Sequence, residues 1–228
     1  AALSVALFVL LSVGLYRLPE ILLILGASAV AGLWGIRLPG FQRPPWWAIV
    51  AGVVYAVLYL VYGLAPEIQA DGMGYHLGLP ATWLRQGGFT NAIEFYNLMP
   101  LGVEAIFGAA MAVGGQSAAK LVHLAFLALS IPLILDIGRR LDLPRNAGWA
   151  AAMLYCLAPV TGISGTSAYT DAALVFAYLA VFRIVLEWKD APSAWLALHA
   201  GLIAGFCYSV KMTGAVAVVA VLAFMVSR

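Results

Sequence analysis

Apolar positions along this chain gather into long charge-free runs, at Ala1–Tyr16, Ile21–Ile36, Trp46–Ala65, Asn146–Thr170, Ala191–Val210 and Met212–Ser227. A helix that crosses a bilayer needs about 20 mostly apolar residues, so each run predicts a helix of that kind. The strict in-and-out alternation of a membrane barrel is absent. The pattern therefore predicts an all-α, polytopic helical membrane protein.

Composition agrees. The 228 residues are 64% hydrophobic and 10% charged, with a mean hydropathy of +0.98, far from the roughly 25% charged residues of soluble domains. A net charge of +2 without any run of basic residues excludes a nucleic-acid partner. Cys156 and Cys207 fall inside apolar runs and read as small buried side chains. The chain opens on Ala1 rather than Met and stops at Arg228 directly after an apolar run, which predicts a piece of a longer protein.

Charge places the loops. Arg37 and Arg43, among Pro39, Pro44 and Pro45, form a basic connection of the sort that stays cytoplasmic. Trp46–Ala65 then leaves the cytoplasm and delivers Pro66–Leu98 to the outer face, where Tyr75–Gly87 has the spacing of an interfacial helix. The segment Pro100–Gly115 is short for a span and carries Glu104, whose charge at mid-membrane would cost about 2.5–3.5 kcal/mol. If it does not cross, Arg37, Arg43, Arg139, Arg140, Arg145, Arg183, Lys189 and Arg228 lie inside, while Arg17, Arg85, Lys120 and Lys211 lie outside. That bias satisfies the positive-inside rule and puts Asp71 and Asp171 on one face. A crossing model with every segment flipped keeps the bias but separates the two acids. Two units follow: residues 1–45, a helical hairpin with its cytoplasmic loop, and residues 46–228, a transmembrane module.

Candidate chemistry rests on scattered polar residues, because no phosphate-cradling glycine loop, nucleophile elbow, zinc-protease motif or paired Cys-x-x-Cys occurs. Asp71 lies between Glu67 and the turn-forming Gly72 and Gly74; its plain alternative is a solvated loop acid. Asp171 opens a helix, where the dipole alone favours an acid. Lys211 sits between two apolar runs, as a snorkelling lysine would. Taken together, two acids and a cation on one face are the minimum set for moving a group off a phosphate-linked lipid. Asp136 with Arg139 and Arg140 reads as a cytoplasmic ion-pair cluster, and His123 and His199 as hydrogen-bonded packing residues. Neighbouring residues supply no metal site, although two distant carboxylates could share a divalent ion with a lipid phosphate.

Four blocks carry a resemblance: Asp71 with Tyr75-His76-Leu77 and Pro80; Pro100-Leu101-Gly102 with Glu104; Tyr169-Thr170-Asp171; and Lys211 with Thr213-Gly214. In order and spacing they resemble the amino-terminal membrane module of GT-C-type glycosyltransferases, which use polyprenyl-phosphate sugars and include protein O-mannosyltransferases and the lipid A aminoarabinose transferase. Gly72 stands where the protein O-mannosyltransferases carry a second acid, and Tyr75-His76-Leu77 sets the chain nearer to bacterial relatives. The resemblance implies a multi-pass plasma-membrane enzyme with juxtamembrane helices in its first external loop and an extracytoplasmic active face. It implies Asp71 and Asp171 as catalytic acids, and Lys211, His76, Tyr75, Arg85 and Glu104 as substrate contacts. The implied partners are a polyprenyl-phosphate-linked sugar and the bilayer. No cofactor is implied with certainty; a divalent metal is an open alternative, and so is a transporter in which Asp171 and Lys211 line an ion path.

Overall fold

A computed structural model describes residues 1–35, 43–90 and 95–226. Arg37 and Arg228 from the cation count lie outside the described residues. The described residues form ten α-helices: α1 (Ala2–Ser12), α2 (Leu18–Gly35), α3 (Trp46–Leu64), α4 (Gly78–Gln86), α5 (Gly102–Arg140), α6 (Arg145–Leu157), α7 (Pro159–Thr166), α8 (Asp171–Asp190), α9 (Ala194–Val210) and α10 (Ala215–Val226). No strand occurs among the described residues, so the fold is all-α.

By length and composition α3 and α5 can each cross a membrane, and α6 with α7 form a pair bent by 62°. The bend breaks the expected run Asn146–Thr170. Pro159 has no amide proton to give and pushes Ala158 into an extended conformation (ψ 125°), so α6 must stop there. The expected span Ala1–Tyr16 is also shorter than its apolar run. Its helix has 11 residues, about 16 Å at 1.5 Å per residue, against about 30 Å of hydrocarbon.

The helix α5 is two helices joined at Gly114 and Gly115, the latter at φ 66° and ψ −162°. That region is open to glycine alone, so the first part, residues 102–113, takes its own direction. At its start Gly102 lies against Ser209, and Ser4 Oγ donates to the Gly102 carbonyl at 2.7 Å. Beyond the break Gln116 Oε1 accepts the Glu67 amide at 3.2 Å. Both ends of residues 102–113 thus belong to one end of the bundle. Residues 116–140 then run to the other end.

The main core joins α1, α5, α8, α9 and α10. Helices in lipid associate through close packing of small residues, and here Ala173 and Ala177 of α8 are buried with Ala200 and Ala204 of α9. Gly201 and Gly205 of α9, spaced four residues apart, do not form the contact face, for a Cβ on either would meet nothing within 4 Å. One residue along a helix is a rotation of about 100°, enough to turn that pair away from α8. Cys156 and Cys207 are free and buried.

Asp136 accepts hydrogen bonds from Arg139 at 2.6 Å and from Arg183 of α8 at 2.7 Å, while Glu187 is bonded by Arg140 and Arg183. The expected ion-pair cluster therefore staples α5 to α8. Asp136 lies about 20 residues along α5 from Gln116, or about 30 Å.

Candidate active site

At the opposite end, Lys120 Nζ donates to the carbonyls of Tyr62 and Ala65 at 2.9 and 2.7 Å. A cation on the last carbonyls of a helix satisfies groups that have no partner inside it and opposes the negative end of the dipole. The chain leaving α3 next reaches Glu67, buried at 6% exposure. Glu67 Oε1 accepts the amides of Ile68 and Gln69, both at 2.9 Å, and Oε2 accepts the amide of Ala168 at 2.6 Å. Glu67 so ties the loop after α3 to the loop before α8.

Asp71 follows, exposed, and begins a π-helical turn over Gly72–His76 closed by the Leu77 amide on the Gly72 carbonyl at 2.9 Å. Gly72 is required there: a Cβ would stand 2.9 Å from the Glu67 carboxyl carbon. Gly74 faces open space. The wide turn sends His76 inward, where Nδ1 meets Glu104 Oε1 at 2.7 Å, and leaves Tyr75 outward, stacked on Tyr96 at 4.4 Å and 9°. Tyr75 also lies 4.0 Å from the His76 ring, which meets Tyr169 edge-on at 5.9 Å. Tyr96, Tyr75, His76 and Tyr169 make a continuous aromatic wall.

Asp171 stands beyond Tyr169. Its Oδ1 accepts Lys211 Nζ at 2.9 Å and its Oδ2 lies 3.4 Å from Ser164 Oγ. Both partners in the Lys211 pair are about half exposed, at 46% and 49%, so the pair adds little to stability; its effect is to aim the ammonium. Lys211 is extended (φ −160°, ψ 145°) between α9 and α10, and a Cβ at Gly214 would collide with the Cys207 carbonyl, which accounts for the glycine closing that motif. Beneath Asp171, His123 Nδ1 donates to the Ser167 carbonyl at 2.9 Å and Nε2 accepts the Ala172 amide at 3.0 Å, a packing role as expected.

The electrostatics report the same juxtaposition. The Tyr75 phenol is pushed from 10.0 up to about 12, by burial first and then by the charges of Asp71, Glu104, Tyr96 and Asp171. Tyr169 is raised by burial and then by Asp71, Glu67 and Asp171. Each ring lies within electrostatic reach of both aspartates, so Asp71 and Asp171 lie at the same end of the bundle.

Other expected residues fall less simply. Glu104, 1% exposed, lies under the wall and reaches the pocket through His76 rather than directly. Arg85 is exposed on α4 and donates to Thr82 at 2.9 Å, apart from the ring chain. The helix expected over Tyr75–Gly87 is divided into the π turn and α4, and Trp83 of α4 is 1% exposed against the core, where α4 packs on α5. Glu67, Lys120 and Tyr96 were not legible as site residues, although a lysine inside an apolar helix is itself a signal. Among the described residues no group of three or more His, Cys, Asp or Glu could hold a metal.

Beside this end, α3, α5 and α6 enclose an apolar groove of about 360 Å³ whose walls include Tyr55, Tyr59, Leu121, Leu124 and Leu157. Leu60 and Leu121 line it, so the groove reaches toward the end of α3 that Lys120 caps.

No curated protein and no solved structure matches the chain. A family model described as dolichyl-phosphate-mannose-protein mannosyltransferase matches residues 99–228, more than half of the length. The match includes Glu104, Asp171 and Lys211 and begins after the loop of Asp71, Tyr75, His76 and Arg85. The chain therefore belongs to the dolichyl-phosphate-mannose-protein mannosyltransferase family, a GT-C-type group of integral-membrane glycosyltransferases that draw on polyprenyl-phosphate sugars.

Proposed function

We propose that this chain transfers a sugar from a polyprenyl-phosphate donor to an acceptor at the extracytoplasmic face, with inversion, and that residues 46–228 form the module that does so. The observation that carries the reading is the gathering of exposed Asp71, the aromatic wall and the Asp171–Lys211 pair at one end of the bundle. In this reading the prenyl chain lies in the apolar groove along α3, α5 and α6, and the phosphate rises past Leu121 to Lys211. Asp71, which no described residue engages in a hydrogen bond or ion pair, takes the proton from an acceptor hydroxyl or amine. The acceptor lone pair attacks the anomeric carbon opposite the phosphate. The bond from that carbon to the phosphate oxygen breaks, and its electron pair leaves with the lipid phosphate. Lys211 meets the growing charge in a charge-assisted hydrogen bond, stronger in a desolvated pocket than in water. Asp171 holds Lys211 in place, and the tyrosines supply flat faces for the sugar ring. The outward orientation follows from the arginines of the α5–α8 staple lying at the other end of the bundle.

The test is Asp71→Asn in membranes supplied with lipid-linked donor. Loss of a general base lowers turnover by about 10²–10⁴-fold, while the protein accumulates and inserts as before. Undiminished sugar transfer by that variant would sink the assignment.

A further inference from the structure

Glu67 has no part in the transfer step, yet it is the acid most completely committed to the backbone around the pocket. Its carboxylate accepts three amides, two from its own loop and one from Ala168, 101 residues away in sequence. On one side, the turn that starts at Asp71 closes over it so tightly that Gly72 has no room for a Cβ. On the other, Ala168 directly precedes Tyr169 and the segment that bears Asp171. Gln116, just past the break in α5, fixes the Glu67 backbone from below. One buried carboxylate therefore touches both backbones that carry the aspartates, and an unpaired amide left by its removal would find no water in a buried joint.

We infer that Glu67 is a positioning residue: it sets the separation of Asp71 from the Asp171–Lys211 pair. The inference rests on the reading of Asp71 as the base. A charged acceptor suits the task because one carboxylate can take several amides at short distance. In transfer reactions a misplacement of about 1 Å can cost about 10²-fold in rate.

The test uses spin labels at Ala70 and Ile163, both exposed, in the protein with Cys156 and Cys207 replaced by serine and held in lipid nanodiscs. The parent gives one narrow distance distribution. Glu67→Ala broadens and lengthens it, and the unlabelled variant loses about 10–100-fold in kcat while KM for the lipid-linked sugar holds, since Lys211 is untouched. An unchanged distribution overturns the positioning role whatever the activity. A changed distribution with unchanged kcat instead overturns the reading of Asp71 as base. Should Glu67→Ala not accumulate in membranes, Glu67→Gln carries the same test, because its single carbonyl oxygen can serve its own loop or Ala168 but not both. A distribution as narrow as the parent's in that variant also overturns the role.

Discussion

Lys211 and Asp171 are half-exposed partners whose ion pair contributes at most about 1 kcal/mol to stability, so their variants separate chemistry from folding. On the proposed mechanism Lys211→Ala lowers turnover by about 10²-fold or more, and Asp171→Asn lowers it less, since Lys211 remains but is no longer held. Thermal unfolding midpoints of both variants in detergent stay near the parent's. Equal activity in Lys211→Ala and the parent would remove the lysine from the site. Tyr75 supplies a pH test. Its phenol is raised in the fold from 10.0 to about 12, so the folded state favours the neutral form. The stability this contributes is fully present below pH 10 and is lost as pH rises through about 12. The tyrosinate absorbance difference between the parent and Tyr75→Phe should show a step near pH 12; a step near 10 would mean that the ring is neither buried nor beside Asp71, Glu104 and Asp171.

At the scale of elements, the break in α5 decides where residues 102–113 end and the run toward the other end of the bundle begins. Gly115 at φ 66° occupies backbone that an L-residue enters at a cost of about 1–3 kcal/mol. Gly115→Ala should lower the unfolding midpoint in detergent, whereas Gly32→Ala, in α2 with nothing within 4 Å, should leave it unchanged or raise it. Equal midpoints would mean that the break does not need a glycine. Pattern alone leaves two elements unresolved for related reasons. The run Asn146–Thr170 is uniformly apolar, and hydropathy does not register that Pro159 interrupts the helix. The pair Gly201 and Gly205 has the spacing of a helix contact, but spacing does not say which way the face points. The alanines one residue back do the packing.

For the whole molecule, the test is sidedness. Single cysteines at positions 71 and 171, in a background lacking Cys156 and Cys207, should both react with an impermeant thiol reagent from the extracytoplasmic side. Labelling from opposite sides refutes the shared pocket, and access that alternates between sides favours a transporter. The α5–α8 staple of Asp136, Arg139, Arg183 and Glu187 lies at the other end, where the same reagent should leave a cysteine at Leu141 unmodified until the membrane is breached.

Long charge-free runs by themselves determine that this chain lives in a bilayer as helices, because lipid offers a backbone no partner and the helix satisfies its own groups. The rarity of charge made Asp71, Asp171 and Lys211 conspicuous, and the count of cations arranged them on one side. Tertiary structure alone decided that Glu67 and Lys120 are joints, that Glu104 sits behind His76, and that Tyr96 completes a wall with Tyr75 and Tyr169. Each of those assignments depends on partners drawn from two or three distant segments, and a buried charge takes its meaning from the groups that surround it rather than from its neighbours along the chain.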